Sequence, residues 1–497
     1  MNALKRIPFF LPLLALFFCL HGGAENFGVV PLKEVAVTGL SVLACIIILF
    51  LLVLLFARNL LLAGLISIFI CTWFFFFGAI HDLVKSIPLL KPIHRYTVFL
   101  PLLCAATAAW IIFLKRKKQI RPRLFLFLNV LLIIYCLIDL GRIGYKSVTT
   151  TREGIRFSFD YSGVAQKPDV FLLLFDGYPG QKALKDSFDF SNEEMLNFLS
   201  ADSFRVLPGS SNYNITQFSM ASLLNMDYIQ TGYDPDAVAQ RNILQRAVEI
   251  NNGAVFHVFK GMGYRIENNS VFDVLDQPGT FDASGFLLGH NFLLTDKILP
   301  NRMNRDLGSS PLFVRWRRWI RWIPFLKDET YDGHRNDNNK MAEKLEKIAA
   351  GSFKDPVFCY THFLLPHGPY FFDSTGKPNP PQVYKAPLSW MNRRNFISYL
   401  KYSNGVAKKM ITMIHEKRPG AIIIFMSDHG FREYLNDQSV QPVHYNNICA
   451  VYLPRKPAEQ PPAYLTNVNF FRWLFNAEFN QHLPYLPDST VALKFKL

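Results

Sequence analysis

Six side chains of types that bind metal ions lie at or just beyond the ends of four short apolar runs. The runs cover residues 169–175, 356–363, 421–427 and 447–454. Nearly continuous apolar runs that alternate with helical segments are typical of strands buried on both faces of a mainly parallel α/β sheet. The six side chains are Asp176, His362, His367, Asp428, His429 and His444. Ligands of such sheets bind beyond the carboxyl ends of the strands, so we expect the first five at one rim.

His444 differs from the other five because it precedes its apolar run. If all four strands are parallel, the start of the last strand lies at the opposite rim. His444 would then reach the other five only through the loop that precedes it.

A hydroxyl group with nucleophilic potential lies between the first two runs. The segment 210–229 changes from an Asn-rich loop to a helical pattern at about Thr216, which places that hydroxyl in the first turn of a helix. A Thr hydroxyl needs a base or a metal ion to attack at neutral pH. A phosphoryl group attached there would be stabilised by the free N–H groups and the dipole of the helix.

Each of these residues also has a structural explanation when it is taken alone. Asp176 before Gly177 suits a turn, and Thr216 suits a helix cap. His362 and His367 are compatible with a strand and a Pro-rich turn. The functional interpretation therefore depends on the motifs occurring together.

Four motifs, in order behind an apolar N-terminal third, carry a family resemblance. They are FDGYPG, NITQFSMASLL, HFLLPHGPY and MSDHGFREY. The set resembles the alkaline phosphatase superfamily in its sulfatase-like branch, especially the membrane-anchored phosphoethanolamine transferases and lipoteichoic acid synthases. The resemblance implies a divalent metal, Zn²⁺ or Mn²⁺, bound by Asp176, Thr216, Asp428 and His429, with Thr216 as the nucleophile. Carboxylates, a hydroxyl and one imidazole suit such an ion.

The resemblance also implies a role for the remaining histidines and leaves a second metal open. His367 resembles the family histidine that contacts phosphate or a second metal, and His362 and His444 are candidates for the same zone. The phosphoethanolamine transferases have another histidine about a dozen residues after the D-H-G motif, whereas residues 431–443 contain none. The C/S-x-P-x-R sequence of true sulfatases is also missing around Thr216, which favours phosphoryl chemistry.

The apolar residues and most of the positive charge lie in the first 150 residues. The chain has 497 residues, 50% of them hydrophobic, and a net charge of +15, of which +11 belongs to this part. Uncharged runs long enough to cross a bilayer are 35–57, 60–80 and 96–114. Weaker candidates are 7–24 and 124–141, the second of which contains Asp139. The sequence therefore predicts about five membrane spans.

The distribution of basic residues predicts the orientation of these spans. With the N-terminus inside, the inner loops hold nine Lys and Arg and the outer loops hold four. The positive-inside rule then puts everything after residue 142 outside. Lys5 and Arg6 before an apolar run also fit a cleaved signal peptide. The remaining four spans would then begin outside and still put the residues after 142 outside. Because this charge serves orientation, we expect no nucleic-acid partner.

These features predict a transmembrane domain over residues 1–145, a linker over 146–165 and an exported catalytic domain over 166–497. The expected location is the cytoplasmic (inner) membrane, with the catalytic domain on the periplasmic or extracellular side. The expected reaction takes a phospho-headgroup, phosphoethanolamine or phosphoglycerol, from a membrane lipid donor to an envelope glycan or glycolipid acceptor through phospho-Thr216. His367 would support the transition-state charge. A tethered hydrolase of phosphate or sulfate esters and an inactive scaffold are the alternatives.

Two further features stay open at the level of sequence. Residues 311–327 combine Trp and Arg as an amphipathic helix of the lipid headgroup zone would, although a packed helix with solvated Arg has the same pattern. Five of the seven cysteines lie in the predicted spans. Cys359 and Cys449 lie in strand-like runs, where either buried thiols or a bridge between them is possible.

Overall fold

The computed structural model describes residues 4, 7–117, 122–149, 158–164, 166–230, 232–275, 277–280, 292–307, 335–384, 392–432 and 442–495. The chain forms two compact units, and both are discontinuous in sequence. The first consists of residues 1–152 and 289–328, and the second of residues 153–288 and 329–497. The Trp- and Arg-rich segment 311–327 lies outside the described residues.

The first unit begins with six helices. They are α1 (Phe10–Glu25), α2 (Leu32–Ala57), α3 (Leu60–Phe75), α4 (Phe77–Ser86), α5 (Tyr96–Arg116) and α6 (Pro122–Thr149). The start of α3 has a side-chain cap, because the Asn59 side chain accepts a hydrogen bond from the Leu62 N–H at 3.0 Å. A 3₁₀ turn at Pro88–His94 precedes α5.

Among the described residues, three helices are long and apolar enough to cross a membrane, namely α2, α5 and α6. The pair α3 and α4 is a fourth candidate, bent by 67° at its break. The first predicted span corresponds to α1, an apolar helix of 16 residues. The chain is therefore membrane-anchored, and the predicted order of apolar helices before an α/β domain is confirmed.

The later helices are α7 (Gln181–Phe188), α8 (Glu193–Ala201), α9 (Thr216–Asn225), α10 (Gln240–Asn251), α11 (Ala254–Gly261), α12 (Phe292–Thr295), α13 (Leu299–Leu307), α14 (Asp337–Ala350), α15 (Pro381–Tyr384), α16 (Arg393–Lys417) and α17 (Asn467–Phe479). Of these, α12 and α13 belong to the first unit. The predicted domain limits at residues 145 and 166 remain a prediction. They do not include a later segment, residues 289–328, in the first unit.

The segment with α12 and α13 is attached to the rest of the first unit by a backbone hydrogen bond and by ion pairs. The Gly78 N–H donates to the Lys297 carbonyl at 2.7 Å, at the start of α4 where the α3–α4 pair bends. Arg302 is buried, and its Nη1 and Nη2 bind the Asp82 carboxylate at 3.0 and 2.6 Å. Its Nε donates to Asp306 Oδ2 at 2.7 Å, which also accepts a hydrogen bond from Tyr96 at 2.7 Å. The segment is thus held by directional, charge-assisted bonds.

Replacing Arg302 with alanine should destabilise the first unit by about 2 kcal/mol, because three charge-assisted hydrogen bonds are lost while Asp82 keeps partial access to water. Thermal unfolding in detergent measures this loss of stability. The readout is maleimide labelling of the Cys71 thiol, which is buried in the folded protein. Arg305→Ala is the matched control, since Arg305 is more exposed and its closest carboxylate contacts are 3.3 and 3.5 Å. Equal effects of the two substitutions would contradict the role of Arg302.

The second unit is built on a sheet whose described strands are β1 (Val170–Phe175), β2 (Arg205–Val206), β3 (Arg265–Asn269), β4 (Val357–Phe363), β5 (Ile422–Met426) and β6 (Cys449–Tyr452). Their order is β2-β6-β5-β1-β4-β3. Strands β3, β4, β1 and β5 are parallel, whereas β6 is antiparallel to β5 and β2 is antiparallel to β6. The predicted mainly parallel sheet is confirmed.

Burial explains why β1 and β5 are continuous apolar runs. Every residue of both strands is buried, and side chains from α9, α11, α14, α16 and α17 complete the same hydrophobic core. The ring of Phe259 on α11, for example, stacks on Phe358 of β4 at 4.1 Å. Cys359 and Cys449 are both buried and free, so the bridge left open by the sequence is not formed.

The direction of β6 corrects the expectation for His444. Because β6 runs antiparallel to β5, its start lies at the rim where β1, β4 and β5 end. His444 belongs to a short 3₁₀ turn, Pro442–His444, directly before β6. It therefore lies on the side of the sheet where the other five side chains lie, without a returning loop.

Candidate active site

Three buried side chains meet where β1 and β5 end. Asp176 follows the last residue of β1, and Asp428 and His429 come two and three residues after Met426, the last of β5. The two strands pair in parallel, with Leu174 opposite Met426, so their carboxyl ends coincide. One ligand atom from each of Asp176, Asp428 and His429 lies within 4.8 Å of the other two.

Thr216 completes this group from the first turn of α9. Its Oγ1 lies 3.1 Å from His429 Nε2 and 3.5 Å from Asp176 Oδ2. The residue is fully buried, and the N-cap position of the helix is occupied by Ile215. The Thr216 hydroxyl therefore faces the carboxylate and imidazole groups, and helix capping does not explain it.

The surrounding backbone fixes one oxygen of Asp428 and leaves the other available. Oδ1 accepts hydrogen bonds from the Gly177 N–H at 3.0 Å and from Ser427 Oγ at 3.2 Å. Among the described residues, Asp428 Oδ2 and Asp176 Oδ1 are buried without a hydrogen-bond partner. Buried carboxylate oxygens without partners are costly, and a divalent cation between them would remove that cost.

His429 is held in the form that can bind a metal ion. Its Nδ1 lies 2.6 Å from the Gly430 carbonyl oxygen, and only a protonated Nδ1 can donate to that oxygen. Nε2 then presents its lone pair to Asp428 Oδ2 at 3.2 Å and Asp176 Oδ1 at 3.8 Å. This orientation of an imidazole by a carbonyl is the usual outer-shell arrangement of metal sites.

The protonation states of two of these groups agree with metal binding. Burial raises the pKa of Asp176, but the nearby imidazole groups of His367, His362 and His429 outweigh burial and hold this pKa well below its usual range. Burial lowers the pKa of His429, although the Asp428 carboxylate opposes that effect. An ionised carboxylate and a neutral imidazole are the forms that metal ligands require. The donor set therefore fits a divalent cation.

His362 supports the group from β4. It is buried, its Nδ1 lies 2.8 Å from the Tyr360 hydroxyl, and its Nε2 lies 3.5 Å from Asp176 Oδ2. It therefore contacts the one oxygen of Asp176 that also faces Thr216. This geometry suits a residue that orients Asp176.

His367 and His444 lie beside the group and do not belong to the three-residue cluster. His367 Nδ1 is 2.6 Å from the Gly368 carbonyl, and its Nε2 is 3.5 Å from Arg432 Nη2. Burial, together with the nearby His429 imidazole and the positive charge of Arg432, lowers the pKa of His444 to about 4. Among the described residues, only Asp176, Asp428 and His429 form a group able to hold a metal ion.

Close packing explains the glycine that follows His429. A Cβ on Gly430 would lie 2.1 Å from the Val443 carbonyl oxygen and 2.8 Å from that of Asn446. The Gly430 N–H donates to the His444 carbonyl at 2.9 Å. The D-H-G motif therefore needs glycine because the 3₁₀ turn before β6 lies directly against it.

Several residues of the site have no role in the predictions from sequence. The carbonyl of Asp428 accepts hydrogen bonds from Asn467 Nδ2 at 2.9 Å and Ser219 Oγ at 2.5 Å. Asn467 begins α17 and carries no motif that would have identified it. Arg432 stands four residues after Asp428 within the MSDHGFREY motif, and that proximity was an available signal.

The sequence model of one protein family, described as Sulfatase, matches residues 211–478. This match covers more than half of the chain. The protein belongs to the sulfatase family. The matched part of this sulfatase-family enzyme contains Thr216, His362, Asp428 and His429, whereas Asp176 precedes it. No curated protein matches the chain.

Several solved structures are similar to the chain. The integral membrane lipooligosaccharide phosphoethanolamine transferase A from Neisseria meningitidis is 13% identical, with a TM-score of 0.33, 90% of this chain covered and 88% of that one. The C-terminal periplasmic domain of the phosphoethanolamine transferase EptC from Campylobacter jejuni is 14% identical, with a TM-score of 0.33 and coverage of 66% and 96%. The phosphonate monoester hydrolase from Silicibacter pomeroyi is 14% identical, with a TM-score of 0.35 and coverage of 65% and 75%.

Proposed function

We propose that the protein is a metal-dependent transferase that moves a phospholipid headgroup, phosphoethanolamine or phosphoglycerol, onto a cell-envelope glycan or glycolipid. The observation that carries the proposal is the position of Thr216. Its buried hydroxyl lies at the start of a helix and within 3.5 Å of both His429 Nε2 and Asp176 Oδ2. A nucleophile, metal-binding groups and helix N–H groups for a phosphoryl oxygen are thereby combined at one point.

The first half of the proposed reaction forms a covalent phospho-enzyme. Thr216 Oγ1 forms a bond to the donor phosphorus, and the bond between phosphorus and the diacylglycerol oxygen breaks. The proton lost by the hydroxyl is balanced by the proton gained by the diacylglycerol oxygen. Asp176 Oδ2 orients the hydroxyl by accepting its hydrogen bond at 3.5 Å. Zn²⁺ or Mn²⁺ held by Asp176, Thr216, Asp428 and His429 would lower the hydroxyl pKa and offset phosphoryl charge.

The second half of the reaction returns the enzyme to its starting state. A hydroxyl or phosphate oxygen of the acceptor bonds to phosphorus, and the bond to Thr216 Oγ1 breaks. Thr216 regains a proton as the acceptor loses one. A hydrolase would use water in place of the acceptor, so both reactions share the phospho-Thr216 intermediate.

Contacts within the first unit support a multi-pass topology with the catalytic domain outside. Asn26, after the end of α1, and Asp82, near the end of α4, contact the α12–α13 segment, as does Tyr96 at the start of α5. The positive-inside distribution puts all three of these positions on the outer side. An active site on that side of the cytoplasmic membrane meets the headgroups of the outer leaflet as its nearest substrates.

A headgroup-labelled phospholipid distinguishes transfer from hydrolysis. Metal-loaded full-length protein is incubated with labelled phosphatidylethanolamine or phosphatidylglycerol and with envelope extract, and intact mass spectrometry follows the protein. Label on an envelope glycan and an adduct at Thr216 are expected. Label only in free phospho-headgroup would identify a hydrolase. No adduct and no release from either lipid would contradict the proposed function.

A further inference from the structure

Arg432 presents a permanent positive charge beside the Thr216 site. Its Nη1 lies 3.5 Å from the carbonyl oxygen of Asn214, two residues before Thr216. Its Nη2 lies 3.5 Å from His367 Nε2. The guanidinium therefore bridges the loop before α9 and the loop after β4, from a position two residues after the D-H-G motif.

The described partners leave most of the hydrogen-bonding capacity of Arg432 unused. A guanidinium carries five N–H donors, whereas both bonds found here are long and go to uncharged acceptors. Within the described parts of the chain, no carboxylate forms an ion pair with Arg432. Because arginine stays charged at any accessible pH, this half-buried cation favours an anionic ligand.

The charge of the proposed reaction requires such a cation. A divalent metal ion balances the charges of Asp176 and Asp428, and the phosphodiester then adds a further negative charge that spreads over its equatorial oxygens in the transition state. A second metal ion could balance it, but among the described residues only Asp176, Asp428 and His429 form a metal-binding group. A fixed guanidinium supplies the one positive charge that the phosphodiester needs and requires no ligands of its own.

We infer that Arg432 is the phosphate-binding residue of this site and donates to the non-bridging oxygens of the phosphoryl group that Thr216 receives. The inference rests on the proposed function and adds the group that recognises the substrate. The planar fork of arginine matches two oxygens of a phosphate. The ligand class is a phosphate ester, and inorganic phosphate is its simplest representative. The site works with one metal ion and one guanidinium.

Inorganic phosphate binding to the metal-loaded full-length protein tests the inference without knowledge of the donor. We expect Arg432→Gln to weaken phosphate affinity by about tenfold or more in titration calorimetry, with the metal content of the wild type. Arg432→Lys should be intermediate because it keeps the charge and loses the fork. The matched control is Arg205→Gln, since Arg205 on β2 binds Gln460 at the exposed surface.

A rescue experiment separates phosphate binding from a structural role. Millimolar guanidinium ion should restore phosphate affinity to Arg432→Ala, whereas a loss caused by misfolding would not respond. The inference would be overturned by phosphate affinity in Arg432→Gln within about twofold of the wild type, by metal loss in that variant, by failure of guanidinium to rescue Arg432→Ala, or by absence of phosphate binding in the wild type.

The outcomes also distinguish this inference from the proposed function. Phosphate binding that depends on Arg432, in a protein that forms no adduct at Thr216, would support the inference and contradict the transferase reaction. Headgroup transfer by a protein whose phosphate affinity does not depend on Arg432 would support the transferase and overturn the inference.

Discussion

Thr216→Ala is expected to lower headgroup release by at least about 10⁴-fold, because the group that forms the bond to phosphorus is removed. The adduct seen by mass spectrometry should disappear as well. The metal ion should still bind, with reduced affinity, because Asp176, Asp428 and His429 remain within 4.8 Å of one another. Release of labelled headgroup and metal content, measured on the same preparation, check both parts.

Two matched variants make the Thr216 prediction specific. Thr216→Ser keeps the hydroxyl and removes a buried methyl group, so it should retain the adduct and lose about tenfold in rate through looser positioning of the hydroxyl. Ser222→Ala removes a buried hydroxyl from the same helix, where it donates to the Asp227 carbonyl at 2.8 Å, and should stay active. Activity of Thr216→Ala close to that of Ser222→Ala would rule out covalent catalysis by Thr216.

The convergence of Asp176, Asp428 and His429 could be predicted from sequence because it depends on local features. Each follows a continuous apolar run, and a buried run in an α/β pattern forms a parallel strand whose carboxyl end carries ligands. Only the assumption that β1 and β5 are neighbours was needed, and they pair directly. Thr216 followed from the change to a helical pattern, and α9 begins at that residue.

The position of His444 could not be predicted because an apolar run looks the same in both chain directions. The run 447–454 gives buried β6 whether the strand is parallel or antiparallel. The direction is set by the pairing of Ile423–Met426 with Cys449–Tyr452. That tertiary contact reverses which end of the run lies beside Asp428.

The attachment of the α12–α13 segment to the first unit also could not be predicted from the sequence. Arg302 and Asp82 are 220 positions apart, and a charged residue on a short polar helix is ordinarily solvated. Arg302 is buried because Asp82 on the distant helix α4 binds its guanidinium, together with Asp306 on its own helix, to which Tyr96 also donates. No role was predicted for Arg432 for a related reason. Its guanidinium contacts Asn214 and His367, which lie on two separate loops.

Asp428→Asn is expected to stabilise the metal-free protein and to abolish the stabilisation that metal binding gives. In the wild type, metal binding to the native state alone should raise the free energy of unfolding by about 4 kcal/mol at a thousandfold excess over Kd, which corresponds to a rise in Tm of about 5–10 °C. Without metal, the Asp176 and Asp428 carboxylates repel each other in a buried site. Replacing Asp428 by the neutral amide removes both the repulsion and a proposed metal ligand.

The hydrogen bonds around position 428 determine the outcome in the metal-free protein. The asparagine carbonyl can take the place of Oδ1 and accept from the Gly177 N–H, as Asp428 does at 3.0 Å. Its amide then replaces Oδ2, 3.2 Å from His429 Nε2, and donates to that lone pair. The variant should therefore unfold at a higher temperature than the metal-free wild type and show no shift on adding Zn²⁺ or Mn²⁺.

Asp186→Asn, an exposed substitution at an i,i+4 pair with Lys182, should keep the full metal shift. A metal shift in Asp428→Asn equal to that of Asp186→Asn would show that Asp428 is not a ligand.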